Sequence, residues 1–323
     1  MMQGRLEVVR WLRVGTPVHS VSLCADASQI LVGTDGEMVL YTRHGDMAFR
    51  YTDPTGELVF RLVRLAPDLS SALAVQRSGS VLRLTIQGRG ASQRVEIRDL
   101  RWDANDIYHL SWHSESGWVA LGHYGPALTV LNQHGEIQWR RHPHDGTSTH
   151  GKLWSVLLDA SCSRLFIGAA GSANNLLASV DASSGLIGPH MQLAARVIHL
   201  ATLAPPLAVA AILNSQGRSV VAAFDSLLAA PVWEYPAKDG EIFTCLESAP
   251  GMGVVVAASN AGSLLVLDGT TGALLAPALS LESTVFALTI TPNGRQIGVG
   301  LNDGRVGLLT FTAPSGREEI FDL

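Results

Sequence analysis

The sequence predicts an all-β chain: a single seven-bladed β-propeller with four-stranded antiparallel blades, closed by its N-terminal strand. Three observations predict it. A four-residue marker recurs seven times, a turn glycine recurs at nearly the same interval, and the 3.6-residue apolar rhythm of helical repeats is almost absent. The composition agrees, since 323 residues at 47 % hydrophobic and 16 % charged can bury a large core and exclude a disordered chain or a disulfide mini-protein.

Each predicted blade opens on the marker, which reads apolar, usually aromatic, variable, apolar. Its copies are Val18-His19-Ser20-Val21, Val59-Phe60-Arg61-Leu62, Ile107-Tyr108-His109-Leu110, Leu153-Trp154-Ser155-Val156, Val197-Ile198-His199-Leu200, Ile242-Phe243-Thr244-Cys245 and Val285-Phe286-Ala287-Leu288. A hairpin follows, turning at Gly36, Gly79, Gly125, Gly171, Gly217, Gly262 or Gly304, spaced by 43, 46, 46, 46, 45 and 42 residues. Asp-Gly and Ser-Gly pairs at such turns supply the residues that tolerate positive φ. A fourth strand with an aromatic or charged tail ends the unit, as in Ile137-Gln138-Trp139-Arg140. A period of about 40–45 residues with four strands per unit is that of a propeller blade.

The last unit dissolves into Ala313-Pro314-Ser315-Gly316 after its third strand, and the missing strand stands at the beginning, in Leu6 to Leu12. Residues 6–14 are therefore expected to complete the last blade, within one domain spanning 1–323 and ending in a tail at 313–323. Pairing the ends removes exposed sheet edges that otherwise invite aggregation. Trp11, Trp139 and Trp233 recur in fourth strands and are expected to pack adjacent blades.

Val180-Asp181, Phe224-Asp225 and Leu267-Asp268 share one position in successive units, and two of them lead into Asp181-Ala182-Ser183-Ser184-Gly185 and Asp268-Gly269-Thr270-Thr271-Gly272. In these features the chain resembles the WD40 and quinoprotein-like propeller superfamily. The Gly-His and Trp-Asp pairs of a standard WD40 repeat are missing from most units. The resemblance implies a scaffold or regulatory subunit that presents one rigid face to a protein partner.

Charge and motifs narrow the function classes. A formal charge of −5 gives no drive towards nucleic acid or an anionic membrane. Glu7, Arg10 and Arg13 interrupt the apolar run a signal peptide requires, and no stretch reaches the length of a membrane-spanning helix. Cys24, Cys162 and Cys245 are widely spaced without a CxxC pair, which suits a reduced cytoplasmic protein. No Gly-x-Ser-x-Gly elbow and no phosphate-binding glycine motif occurs, so a non-enzymatic protein with no cofactor is expected.

The candidate partner-binding face collects the polar connection from the third unit to the fourth together with neighbouring residues on the same rim. It comprises His123, Tyr124, His142, His144, Asp145, His150, Lys152 and Arg196. Aromatic and arginine anchors dominate interface energetics, which makes a protein the expected partner. His142, His144 and His150 with Asp145 also carry the donor types of a zinc site, but polar loops are ordinarily solvated connections, and no metal is assigned. His19, His109 and His199 fall at different offsets in the marker and are expected not to converge on one point. The alternative reading is a soluble sensor or enzyme holding a small ligand or metal in a central funnel.

Overall fold

The computed structural model describes residues 4–52, 59–76, 79–88, 93–100, 107–123, 127–132, 134–141, 152–170 and 175–314. It is all β, with seven four-stranded antiparallel blades in a propeller arrangement. Blade 1 runs Val18–Leu23, Gln29–Thr34, Glu37–Thr42 and Met47–Thr52; blade 2, Phe60–Leu65, Ser71–Gln76, Val81–Gln87 and Arg94–Asp99. Blade 3 is Ile107–His113, Trp118–His123, Leu128–Leu131 and Ile137–Arg141; blade 4, Lys152–Leu158, Arg164–Ala170, Asn175–Asp181 and Ile187–Leu193. Blade 5 is Arg196–Thr202, Leu207–Ser215, Arg218–Asp225 and Pro231–Pro236; blade 6, Phe243–Ala249, Val254–Ser259, Ser263–Asp268 and the short Leu279–Ser280. Blade 7 takes Val285–Ile290, Gln296–Leu301 and Arg305–Thr312, and its fourth strand is Arg5–Arg13, running antiparallel to Arg305–Thr312 from Arg5 opposite Thr312 to Arg13 opposite Arg305. Among the described residues no helix is long and apolar enough to cross a membrane.

By packing, the chain forms two compact units. One holds residues 1–103, 256–268 and 274–323, hence blades 7, 1 and 2; the other holds 104–255 and 269–273, hence blades 3, 4 and 5. Blade 6 contributes residues to both.

Five of the predicted turn glycines lie among the described residues and take the expected conformation, whereas Gly125 and Gly171 lie outside them. Gly36, Gly79, Gly217, Gly262 and Gly304 all have φ between 73° and 93°, a region that side chains rarely adopt. Second strands are buried almost throughout, as in Gln29–Thr34 and Val254–Ser259, because both faces of a blade are covered. They therefore read as continuous apolar runs. Fourth strands are mostly exposed.

Two devices join successive blades. The first is a glycine late in the second strand. A Cβ on Gly168 of blade 4 would lie 2.5 Å from Val197 Cγ1 of blade 5; on Gly122 of blade 3 it would lie 3.0 Å from Val156 Cγ1 of blade 4. Gly33 meets Phe60 of blade 2 in the same way, at 2.7 Å from its carbonyl oxygen. The absent side chain lets the first strand of the next blade seat directly on the second strand of this one. The second device is a side-chain acceptor in the first strand that takes an amide N–H of the next blade. Ser20 Oγ accepts from Val63 N–H at 2.9 Å, Ser22 Oγ from Leu65 N–H at 2.8 Å and Ser111 Oγ from Leu158 N–H at 2.9 Å. Thr289 Oγ1 and His109 Nδ1 play the same part towards Leu23 N–H and Val156 N–H. Each such bond contributes about 0.5–1.5 kcal/mol net.

A third device is confined to some junctions; it bears out the sequence reading for Trp139 and Trp233 and corrects it for Trp11. Trp139 Nε1 donates to Ala182 O at 2.8 Å, and Trp233 Nε1 donates to Gly269 O at 3.0 Å, so each indole docks on the turn after the third strand of the next blade. Those turns are the Asp-Ala-Ser-Ser-Gly and Asp-Gly-Thr-Thr-Gly runs. Their last residues, Gly185 and Gly272, have φ of 69° and 72° and lie against the indoles. Trp11 does not dock this way. Its ring lies against Gly307 of its own blade, with the Arg305 guanidinium 4.9 Å from its centroid. The marker also shifts by one residue in blades 2 and 6, where Phe60 and Phe243 are the first residues of their strands and are fully buried. Their rings fill core positions, and Phe60 meets Tyr51 edge-on at 5.9 Å.

Candidate functional site

The second residue of the marker has a structural cause that the sequence did not reveal. In the pairing of first and second strands the register slips between Val18 and Ser20, Phe60 and Leu62, Ile107 and His109, Leu153 and Ser155, Val197 and His199, and Val285 and Ala287. His19, Arg61, Tyr108, Trp154, Ile198 and Phe286 are thus the extra residues of six β-bulges. A bulge re-aims a side chain and is over-represented at functional sites. All six side chains are partly or largely exposed, although they begin strands whose other residues are mostly buried; Phe286 is 41 % exposed.

Within the unit of blades 7, 1 and 2, the bulges present His19, Arg61 and Phe286. His19 Nε2 lies 2.8 Å from Asp35 Oδ1, with the two side chains 28 % and 48 % exposed. Within the unit of blades 3, 4 and 5, they present Tyr108, Trp154 and Ile198. Tyr108 and Trp154 meet edge-to-face, centroids 5.0 Å apart at 78°, and Lys152 Nζ stands 5.9 Å from the Trp154 centroid. Lys152 and the exposed Arg196 open the first strands of the successive blades 4 and 5.

Beneath this cluster the third marker residues come together. The rings of His109 and His199, from blades 3 and 5, are 5.8 Å apart at 83°. This corrects the expectation that the marker histidines do not converge, since strands from blades 3 and 5 bring these two side chains together. His19, one place earlier, is separate. Ser155 Oγ and Trp154 Nε1 are both buried without a hydrogen-bond partner. An orphaned buried donor costs about 1–3 kcal/mol.

Of the residues that the sequence singled out, Lys152 and Arg196 stand at this edge. His123 is 3 % exposed and its Nε2 lies 2.9 Å from Thr129 Oγ1, an interior contact. Tyr124, His142, His144, Asp145 and His150 lie outside the described residues. Among the described residues no three His, Cys, Asp or Glu side chains group as metal ligands. All three cysteines are free. Burial pushes the Cys24 and Cys162 thiols above their ordinary value; in Cys162 this outweighs the hydrogen bond from Ser116 that favours the thiolate. Neither is an activated nucleophile.

The chain matches no protein-family model, and no curated protein matches it in sequence. The class that its fold defines is therefore the seven-bladed β-propeller.

Proposed function

We propose that this propeller is a non-enzymatic, cytoplasmic protein-recognition scaffold or regulatory subunit, and that it binds a protein partner through the bulge residues of its first strands. One observation carries the reading: six first-strand bulges hold His19, Arg61, Tyr108, Trp154, Ile198 and Phe286 partly exposed. Tyr, Trp and Arg are the residue types that dominate interface energetics, and aromatic side chains bring large contact area with few rotors to immobilise. Because the bulges sit on strands locked into the sheets, the surface is ordered before binding and loses little conformational entropy on association.

The test is affinity purification of the tagged protein from its native cell, in parallel with Phe286→Ser and with the double variant Lys152→Glu, Arg196→Glu. These changes lie on exposed or half-buried side chains and leave the sheets intact. A stoichiometric partner recovered by the wild type and lost from both variants is the expected result. Equal recovery by all three would assign recognition to another surface, and no stoichiometric partner at all would overturn the scaffold reading.

A second reading is favoured by the unpartnered Ser155 hydroxyl and Trp154 indole: a small polar ligand or metal bound beside His109 and His199. Native mass spectrometry of the protein, with metal analysis and thermal melts in EDTA, tests it. A stoichiometric bound species whose removal lowers the melting temperature supports that reading, and an unloaded protein indifferent to chelator removes it.

A further inference from the structure

The tryptophan dock is not repeated at the junction of blades 7 and 1, and its replacement there has the form of a binding groove. Trp139 and Trp233 each follow the extra residue of a fourth-strand bulge, Gln138 and Val232. In the N-terminal strand the extra residue is Val9, so the equivalent position belongs to Arg10 rather than to Trp11. Arg10 keeps the donor role. Its Nη1 hydrogen-bonds to His44 O in the turn after the third strand of blade 1, beside Gly45 with its φ of 88°. What it does not keep is the bulk of an indole. A cavity of about 210 Å³ remains, lined by Arg10, Arg43 and His44, by Val9, Ala27 and Leu308, and by Asp26, Gln296 and Thr310. A second recess, which shares Arg10 and Arg43, reaches Leu12, Leu23 and Ile30 beneath it.

The polar groups set what the groove accepts. No side-chain hydrogen bond or ion pair of Arg43 occurs among the described residues, and only one of the N–H groups of Arg10 is engaged by His44. The one carboxylate in the lining, Asp26, is turned to its own loop, where it accepts from Ser28 N–H at 2.9 Å and from the Cys24 thiol at 3.0 Å. Two guanidinium forks at one opening match a planar carboxylate, which each can grip bidentately. The apolar share of the lining calls for a hydrocarbon group next to that charge. An engineered cavity of about 150 Å³ takes up benzene, so about 210 Å³ admits one aromatic or branched side chain. Val9 at the lip is 56 % exposed, an apolar surface continuous with the opening.

We propose that this groove docks an acidic peptide of a protein partner, one that places a large apolar side chain in the space of the missing indole and a neighbouring carboxylate between Arg10 and Arg43. The site is separate from the bulge residues and does not depend on the reading given to them.

The experiment titrates the purified full chain with the fluorescein-labelled peptide Glu-Phe-Glu-Phe-Glu, read by polarisation, beside peptides in which every Glu is Gln or every Phe is Ala. Wild type is expected to bind the first saturably and the other two at least about tenfold more weakly, since a hydrogen bond to a charged group is worth about 1.5–3 kcal/mol. Arg43→Gln is expected to weaken binding about tenfold. Arg10→Trp, which places there the residue found at the junctions of blades 3 and 4 and of blades 5 and 6, is expected to abolish binding while the melting temperature stays at or above that of wild type. Phe286→Ser, in a first-strand bulge, is expected to bind the peptide normally; this separates failure here from failure of the bulge-residue reading. The proposal is overturned if wild type shows no saturable binding, if the Gln-Phe peptide binds equally, if Arg43→Gln has no effect, or if inorganic phosphate at matched ionic strength displaces the peptide as well as unlabelled peptide does. Dissociation of a wild-type dimer by Arg10→Trp in sedimentation would assign the groove to a second copy of the chain and likewise overturn it.

Discussion

Replacing Gly168 and Gly122 by Ala tests the packing of successive blades where it is tightest, because the two glycines hold the same place in adjacent blades of one unit but have unequal room. A Cβ at 168 would stand 2.5 Å from Val197 Cγ1, 2.7 Å from its Cβ and 3.0 Å from its carbonyl oxygen. Side-chain rotation cannot clear the last two, so the strand itself must shift. At 122 the nearest atoms are Val156 Cγ1 at 3.0 Å and Leu153 Cβ at 3.3 Å, which can yield by a few tenths of an ångström. Forcing a methyl group into a packed core costs about 1–3 kcal/mol, and removing a glycine stiffens the unfolded chain and returns about 0.4–1 kcal/mol. Strain wins at 168, where a net loss of about 2 kcal/mol is expected. At 122 the two effects nearly cancel, and a net change within about 0.5 kcal/mol is expected. Combining Gly168→Ala with Val197→Ala should recover about 1 kcal/mol relative to the sum of the single changes, since only one of the three close atoms is removed. Urea denaturation at constant slope supplies the values. The reasoning is refuted if Gly122→Ala costs as much as Gly168→Ala, or if the double variant is strictly additive.

Deleting residues 1–14 removes the whole fourth strand of blade 7 and bares the edge Arg305–Thr312; the shortened chain is expected to elute as aggregate in size exclusion, and a monomer melting like wild type would contradict this. Trp233→Phe loses the bond to Gly269 O and should cost about 1–2 kcal/mol, whereas Gly272→Ala should cost more, because its φ is 72° and its Cβ would lie 2.6 Å from the Trp233 ring; thermal melts rank the two. The Asp181 carboxyl is held down to about 2 by hydrogen bonds from Ser183 and Ser184. A group lowered on folding from 3.8 contributes stability that is complete above that value and lost as pH falls through about 2, so the advantage of wild type over Asp181→Ala should shrink between pH 4 and pH 2 in a melting series. A constant difference over that range would contradict it.

What the sequence disclosed and what it concealed divide along a physical line. The marker and the turn glycines are local, since a buried apolar position and a positive φ are demanded by the chain's own geometry; blade number and end-to-end closure followed from counting them. Pairing register is not local. The bulges at His19, Arg61, Tyr108, Trp154, Ile198 and Phe286 show only when two strands are aligned, although the recurrent aromatic at the second marker place was their trace. The same blindness put Trp11 in a docking role that Val9, by adding one residue, hands to Arg10. The close-packed glycines were also visible, as Val32-Gly33, Leu121-Gly122 and Ile167-Gly168 three residues before their turn glycines and Val299-Gly300 four before its own. Hairpin turns also call for glycine, so the sequence does not tell a close-packed glycine from a turn glycine. The meeting of His109 and His199, from blades 3 and 5, is a contact across blades that no local pattern in the sequence marks.

The central claim, that the bulge residues bind the partner, is tested most directly by site-specific photo-crosslinking in the native cell. A benzoylphenylalanine at position 286 or 108 should each yield an adduct with the same protein at high occupancy, while the same probe at the exposed Val232 of an outer strand should not. Adducts confined to position 232, or absent from both 286 and 108, would contradict the account.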